Sequence, residues 1–118
     1  MPTVTPFISN IKDPQTLAFD SSNNLYVADG NARALLQYSG ANLLKTTVSV
    51  GSNLTGVTID PSGNVFTCTS DSPKIFKNNN FWASHPLIVG AADIETDSAG
   101  NVYVACSGSN CVVKITAT

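Results

Sequence analysis

Leu17-Ala18-Phe19-Asp20-Ser21-Ser22-Asn23-Asn24-Leu25-Tyr26-Val27-Ala28 recurs twice without a gap, as Val57-Thr58-Ile59-Asp60-Pro61-Ser62-Gly63-Asn64-Val65-Phe66-Thr67-Cys68 and as Ile94-Glu95-Thr96-Asp97-Ser98-Ala99-Gly100-Asn101-Val102-Tyr103-Val104-Ala105. The aligned aspartates Asp20, Asp60 and Asp97 stand 40 and 37 residues apart. Each unit has one physical reading. An apolar run ends at an Asp whose short side chain bonds the amides that follow it, and Ser-Asn-Asn, Ser-Gly-Asn or Ala-Gly-Asn then supplies residues that tolerate positive φ. This is a hairpin turn. The next run is apolar on both faces, as a strand packed from each side requires. After a polar loop comes a third strand, Leu35-Leu36-Gln37-Tyr38, Ile75-Phe76-Lys77 or Val112-Val113-Lys114-Ile115, and a looser fourth follows in two units, near Leu44–Val50 and Phe81–Val89.

Four short strands in 37 to 40 residues is the period of a propeller blade. The composition agrees: 42% apolar, 12% charged and rich in small polar residues, it suits short strands and polar turns. At 118 residues the chain is one domain. The expected architecture is an all-β propeller with four-stranded blades over residues 14–53, 54–90 and 91–118, preceded by an extended segment over 1–13.

The units resemble the NHL repeat, above all in Asp97-Ser98-Ala99-Gly100-Asn101-Val102-Tyr103-Val104-Ala105. The resemblance implies a six-bladed ring that presents a binding surface, with some related propellers acting as metal-dependent hydrolases or lactonases. This chain departs from the family pattern in two places. The Asp usual after Val-Ala is kept only as Asp29, with Thr69 and Cys106 in the other units, and the usual Asn-Arg before the third strand is reduced to Arg33.

Three blades are half of such a ring. The third unit ends after its third strand, while Val4-Thr5-Pro6-Phe7-Ile8-Ser9 is an apolar extended piece with no unit of its own. An open arc would bare two apolar blade faces. The expectation is a homodimer with twofold symmetry, in which each N-terminal strand completes the partner's third blade. An excised piece of a longer propeller is the alternative.

A net charge of −2 and a pI near 4.9 provide no basic stripe for nucleic acid. No apolar stretch is long enough to span a bilayer, and Met1–Pro6 has neither the basic nor the apolar part of a secretory signal. A soluble, cytoplasmic protein is expected, with neither nucleic acid nor membrane as partner.

Candidate site residues fall into three groups. The loops expected on the upper face carry Asp29, Asn31, Arg33, Asn53, Asp71, Lys74 and Asp93, with Asp13 and Gln15 beside them, a polar mixture of both signs that suits a protein, peptide or sugar ligand. Glu95 stands on an innermost strand where the other units have Ala18 and Thr58, so it and its symmetry mate would face each other across the channel and share a divalent cation. No other cofactor is expected. Cys106 and Cys111 flank a four-residue loop and would oppose each other across a hairpin, as thiol fillers, as a disulfide or, with further ligands, at a metal. Cys68 fills a small core position. His85 has no orienting carboxylate or nucleophile at recognisable spacing, and no catalytic constellation emerges. The function expected first is a non-catalytic binding module, the alternative a metal-dependent hydrolase or lactonase with its site in the channel.

Overall fold

Each unit folds into one antiparallel sheet because every connection within it is too short to do anything but return the chain alongside itself. The computed structural model describes residues 2–41, 44–49 and 53–116. The first sheet holds β1 (Pro14–Phe19), β2 (Leu25–Asp29), β3 (Ala34–Tyr38) and β4 (Leu44–Ser49), in that order. The second holds β5 (Leu54–Ile59), β6 (Val65–Thr69), β7 (Lys74–Lys77) and β8 (Asn80–Ser84), again in chain order. The third holds β9 (Ala91–Thr96), β10 (Val102–Cys106) and β11 (Cys111–Ile115). No helix is present among the described residues, and so none is long and apolar enough to cross a membrane.

The repeated aspartates build the first hairpin of every blade. Asp20 Oδ1 accepts from the amides of Ser22 and Asn24 at 2.9 Å each, and its Oδ2 accepts from Asn24 Nδ2 at 2.9 Å. Asp60 holds Ser62 and Asn64, and Asp97 holds Ala99 and Asn101, in the same way. The aligned Asn23, Gly63 and Gly100 take the left-handed conformation that closes the turn, with φ of 63°, 86° and 85°. Each innermost strand also carries an extra residue at one place, at Gln15, Thr55 and Ala92. The repeat therefore extends to its irregularities.

Strand parity gives each blade two faces. Blade 1 turns Tyr26, Ala28 and Leu35 toward blade 2, where Leu54 and Val57 meet them. Blade 2 turns Phe66, Cys68 and Ile75 toward blade 3, against Ile88, Ile94, Val102, Val104 and Cys106. Gly56 allows that second junction to close: a Cβ there would stand 2.7 Å from Cys68 Sγ and 3.0 Å from Ile94 Cγ2. Thr55 Oγ1 donates to the Ala91 carbonyl at 2.7 Å and ties the inner strands together.

The third blade has three strands among the described residues, as expected of a unit that ends after its third strand. The fourth strand of the second unit is shorter than Phe81–Val89, because β8 ends at Ser84 and the chain turns, with the Ile88 amide donating to the His85 carbonyl. Residues 4–9 form no strand within the chain; instead Ile8 and Ile11 pack on the outward face of blade 1, beside Leu25, Val27 and Tyr38. Val50, Ala117 and Thr118 lie outside the described residues.

Candidate functional site

The three inner strands β1, β5 and β9 stand side by side and form the concave wall of the arc. Their side chains bound a mainly polar cavity of about 330 Å3, lined in part by Thr16, Thr58, Asp93, Glu95 and Thr96. Every inner strand has the same backbone path, so what distinguishes the wall locally is the side chain at each repeat position. Asp93 stands where blades 1 and 2 have Thr16 and Gly56, and Glu95 where they have Ala18 and Thr58. Both acids are exposed. Glu95 Oε1 accepts from Thr58 Oγ1 at 3.4 Å, a long contact that leaves most of the carboxylate open to solvent, and Asp93 Oδ1 accepts from the Ile94 amide at 2.9 Å. Among the described residues, no group of three or more His, Cys, Asp or Glu side chains converges within the chain.

At the upper mouth of this wall, Asp13 and Asn53 approach over Gly30. Asp13 Oδ2 and Asn53 Oδ1 each lie 3.1 Å from the position that a Cβ on Gly30 would take. Gln15 Nε2 donates to Asp13 Oδ1 at 2.8 Å, and Asn53 Nδ2 donates to Ser70 Oγ at 2.9 Å. The sequence reading brings Asp13, Gln15 and Asn53 together on this face, and the repeat aligns Asp13 with Asn53.

The remaining candidates are scattered differently. Asp29 is buried, and its carboxylate accepts from the amides of Lys12, Asp13 and Ala32 at 3.1 to 3.3 Å, so it organises the loop instead of presenting charge to a ligand. Asn31, Arg33 and Asp71 are exposed on the loops between second and third strands, and Lys74 is exposed at the start of β7. Arg33 has φ of 53°, with its side chain free of the core.

Cys106 and Cys111 are directly opposed in register and are free thiols, the first buried and the second half-buried. Cys111 Sγ lies 3.3 Å from Ser109 Oγ. Cys68 is fully buried, and burial pushes its thiol up to about 11. His85 is exposed, and its Nδ1 accepts from the Leu87 amide at 3.1 Å, a local turn contact.

Solved structures with this arrangement are known. The chain superposes on Kuenenia stuttgartiensis hydrazine synthase with a TM-score of 0.77 at 14% identity, over 92% of this chain and 34% of that one. It superposes on virginiamycin B lyase from Staphylococcus aureus with a TM-score of 0.74 at 15% identity, over 88% of this chain and 38% of the lyase. For the calcium-binding protein regucalcin from Agrobacterium tumefaciens the values are 0.72 and 11%, over 96% and 48%. The fold is a β-propeller. The chain spans between about a third and a half of the length of these propellers, which makes it an arc of blades. No family model matches the chain, and no curated protein matches it significantly. The kinship shown is therefore to propellers as a fold, with the NHL family left as a resemblance in the repeat.

Proposed function

We propose that the arc contributes to a six-bladed propeller of the NHL type whose channel binds a divalent cation and acts on a small polar substrate, as a hydrolase or lactonase. The observation that carries this reading is the placement of Asp93 and Glu95. Two carboxylates break the repeat on one inner strand, at positions that are Thr, Gly or Ala in the other blades, and they do so on the wall of a polar channel. Neither is needed for a turn or a core contact. The fold's solved relatives lend support, since they include a lyase and a calcium-binding protein.

The donor set fits a hard cation. Carboxylate and hydroxyl oxygens suit calcium, magnesium or manganese and do not suit a thiolate-seeking metal. Asp93 and Glu95 would hold the ion, with Thr58 orienting Glu95. When bound, such an ion polarises a carbonyl and lowers the pKa of a coordinated water. The chain's own part is to fix the carboxylates on a rigid strand and to supply the polar wall against which the substrate lies.

The test is calorimetric titration of calcium, magnesium and manganese into the wild type and into Glu95→Gln, together with a screen of esters and lactones with and without a chelator. Cation binding that is lost in the variant, with turnover that stops on chelation, supports the reading. Absence of cation binding by the wild type contradicts it.

A second reading, a non-catalytic module for a protein, peptide or sugar, is favoured by the lack of a third converging acid or histidine among the described residues of the chain. It relies on the exposed Asn31, Arg33, Asp71 and Lys74 with Asn53 at the mouth. Ligand binding that persists in Glu95→Gln without any cation would support it.

A further inference from the structure

We infer that a second copy of this chain docks on both open faces of the arc, the third blade of each copy packing on the first blade of the other, and that residues 4–9 of each copy form the outermost strand of the other's third blade. This inference does not depend on the channel chemistry proposed above.

The outward face of blade 3 is built like a blade-to-blade junction, with Asp93 and Glu95 at its inner edge across from Ala105 and Tyr103. Tyr103, Ala105, Val112 and Lys114 hold the repeat positions of Phe66, Cys68, Ile75 and Lys77, which blade 2 turns toward blade 3. They also hold the positions of Tyr26, Ala28, Leu35 and Gln37, which blade 1 turns toward blade 2. The pattern is an aromatic ring, a small residue, an aliphatic residue and a long polar side chain. Two of these sets are covered by the next blade, and the third is bare, with Val112 66% exposed.

The outward face of blade 1 is the complementary half. Leu17, Phe19, Leu25 and Val27 occupy the positions of Ile94, Thr96, Val102 and Val104, the face with which blade 3 receives blade 2. Ile8 and Ile11 pack beside the buried Leu25 and Val27, but Leu17 and Phe19 stay 61% and 60% exposed. Apolar sheet surface of this kind marks a docking site. One end of the arc thus carries the donor half of a junction and the other end carries the acceptor half.

The segment before β1 supplies the remaining part. Residues 4–9 stand 40 positions before residues 44–49, the spacing that relates Asp20 to Asp60, and residues 44–49 are β4, the outermost strand of blade 1. By the same spacing Ile8 corresponds to Val48, which packs at the junction of blades 1 and 2, opposite Leu35. Val112 is the Leu35 of blade 3. Its strand β11 has β10 on one side and an unpaired edge on the other among the described residues. Residues 4–9 therefore have the character and spacing of an outermost strand, and among the described residues β11 has none beside it. Regucalcin provides the scale: this chain covers 48% of it, so two copies match one propeller of that length.

The contact is head to tail, and that makes it testable by complementation. Ala105→Arg and Leu17→Glu each place a charge on an exposed position of one face, so neither disturbs the core of a single copy. Light scattering of the wild type should give twice 12.3 kDa. Each variant alone, with both junctions of its homodimer damaged, should weaken association by at least about a hundredfold. An equimolar mixture should recover the dimer, because one junction of the mixed ring is intact and the other sets Arg against Glu. A wild-type monomer would overturn the inference. So would a dimer indifferent to Ala105→Arg but lost in Leu17→Glu, the signature of two first blades packed face to face. Thermal melts of each variant, expected to keep a cooperative transition, separate lost association from lost folding.

Discussion

The Lys114 ammonium lies 5.8 Å from the centre of the Tyr103 ring, the same relation that Lys77 bears to Phe66 one blade earlier. The pairs occupy matching positions on adjacent strands, but Phe66 is buried at the junction with blade 3 while Tyr103 lies on the face that no described residue covers. A cation over an aromatic face contributes roughly 0.5–1 kcal/mol where solvent reaches it and more once water is excluded. Covering blade 3 should therefore strengthen the Lys114 pair. Lys114→Met is expected to weaken dimer formation more than it lowers the stability of the single arc, as sedimentation and thermal melts of the same samples would show.

The turn aspartates predict an acid limit. Burial pushes the Asp20 and Asp60 carboxyls upward, but bonds from Asn24 and Ser22, and from Asn64 and Ser62, outweigh it and leave both below the ordinary 3.8. At Asp97 the Asn101 side chain is the largest influence and acts in the same direction. A depressed folded-state pKa stabilises the fold above the unfolded value and is lost as pH falls through the depressed one. The melting temperature should hold down to about pH 4 and then drop. Replacing the three aspartates with Asn should flatten that drop at the cost of a lower plateau.

Asp29 predicts a structural effect and no ligand effect. Asp29→Ala removes the acceptor of the part-buried amides of Lys12, Asp13 and Ala32, and each such bond is worth about 0.5–1.5 kcal/mol net. Amide hydrogen exchange at Lys12 and Asp13 should accelerate with the loss. Unchanged protection at both would show that the segment before β1 is held by Ile8, Ile11 and the hydrogen bond from the Gly30 amide to the Asp13 carbonyl, without help from Asp29.

Gly56 and Cys68 should be coupled. Gly56→Ala forces a methyl against Cys68 Sγ, and overpacking of this kind costs about 1–3 kcal/mol. Cys68→Ala removes the sulfur, so the double variant should lose less than the sum of the two single changes, with Ile94 supplying the residual strain. Additive losses in chemical denaturation would contradict the packing described.

The thiols should separate by accessibility. With its pKa near 11 and no exposure, Cys68 should resist alkylation until the protein unfolds, whereas the half-buried Cys111 should react in the native state. Mild oxidation is expected to join Cys106 to Cys111, read as a loss of two hydrogens by mass analysis.

The sequence revealed the blades because one mechanism is written three times: an Asp that caps a turn, a residue with positive φ, and a strand apolar on both sides. Asn23, Gly63 and Gly100 show how little the surrounding residues alter it. What the repeat could not reveal was how individual side chains are used. Asp29 reads as a surface loop acid, yet its strand end is buried and three amides need its oxygens. Residues 4–9 read as a strand, yet a strand needs a neighbour, and within one chain the apolar side chains of Ile8 and Ile11 settle on blade 1 instead. Asp13, Gln15 and Asn53 read as neighbours on the upper face, but how closely Asp13 and Asn53 meet depends on the approach of two blades at Gly30, which spacing along the chain does not express. The acids of the channel wall were visible as departures from the repeat, although their distance from other ligands was not.

Small-angle scattering of the purified chain, with mass determined on the same eluting peak, tests the central claim most directly. The single arc has a Cα radius of gyration of 14.2 Å and extents of 41 × 32 × 29 Å. Two arcs closed into a ring of twice the chain length should give a radius near that of an ordinary compact domain of the same size, about 17–18 Å. A particle of twice 12.3 kDa with that radius is the predicted result. A particle of single mass, or a dimer whose radius lies well above the compact value, would contradict closure of the ring by a second copy.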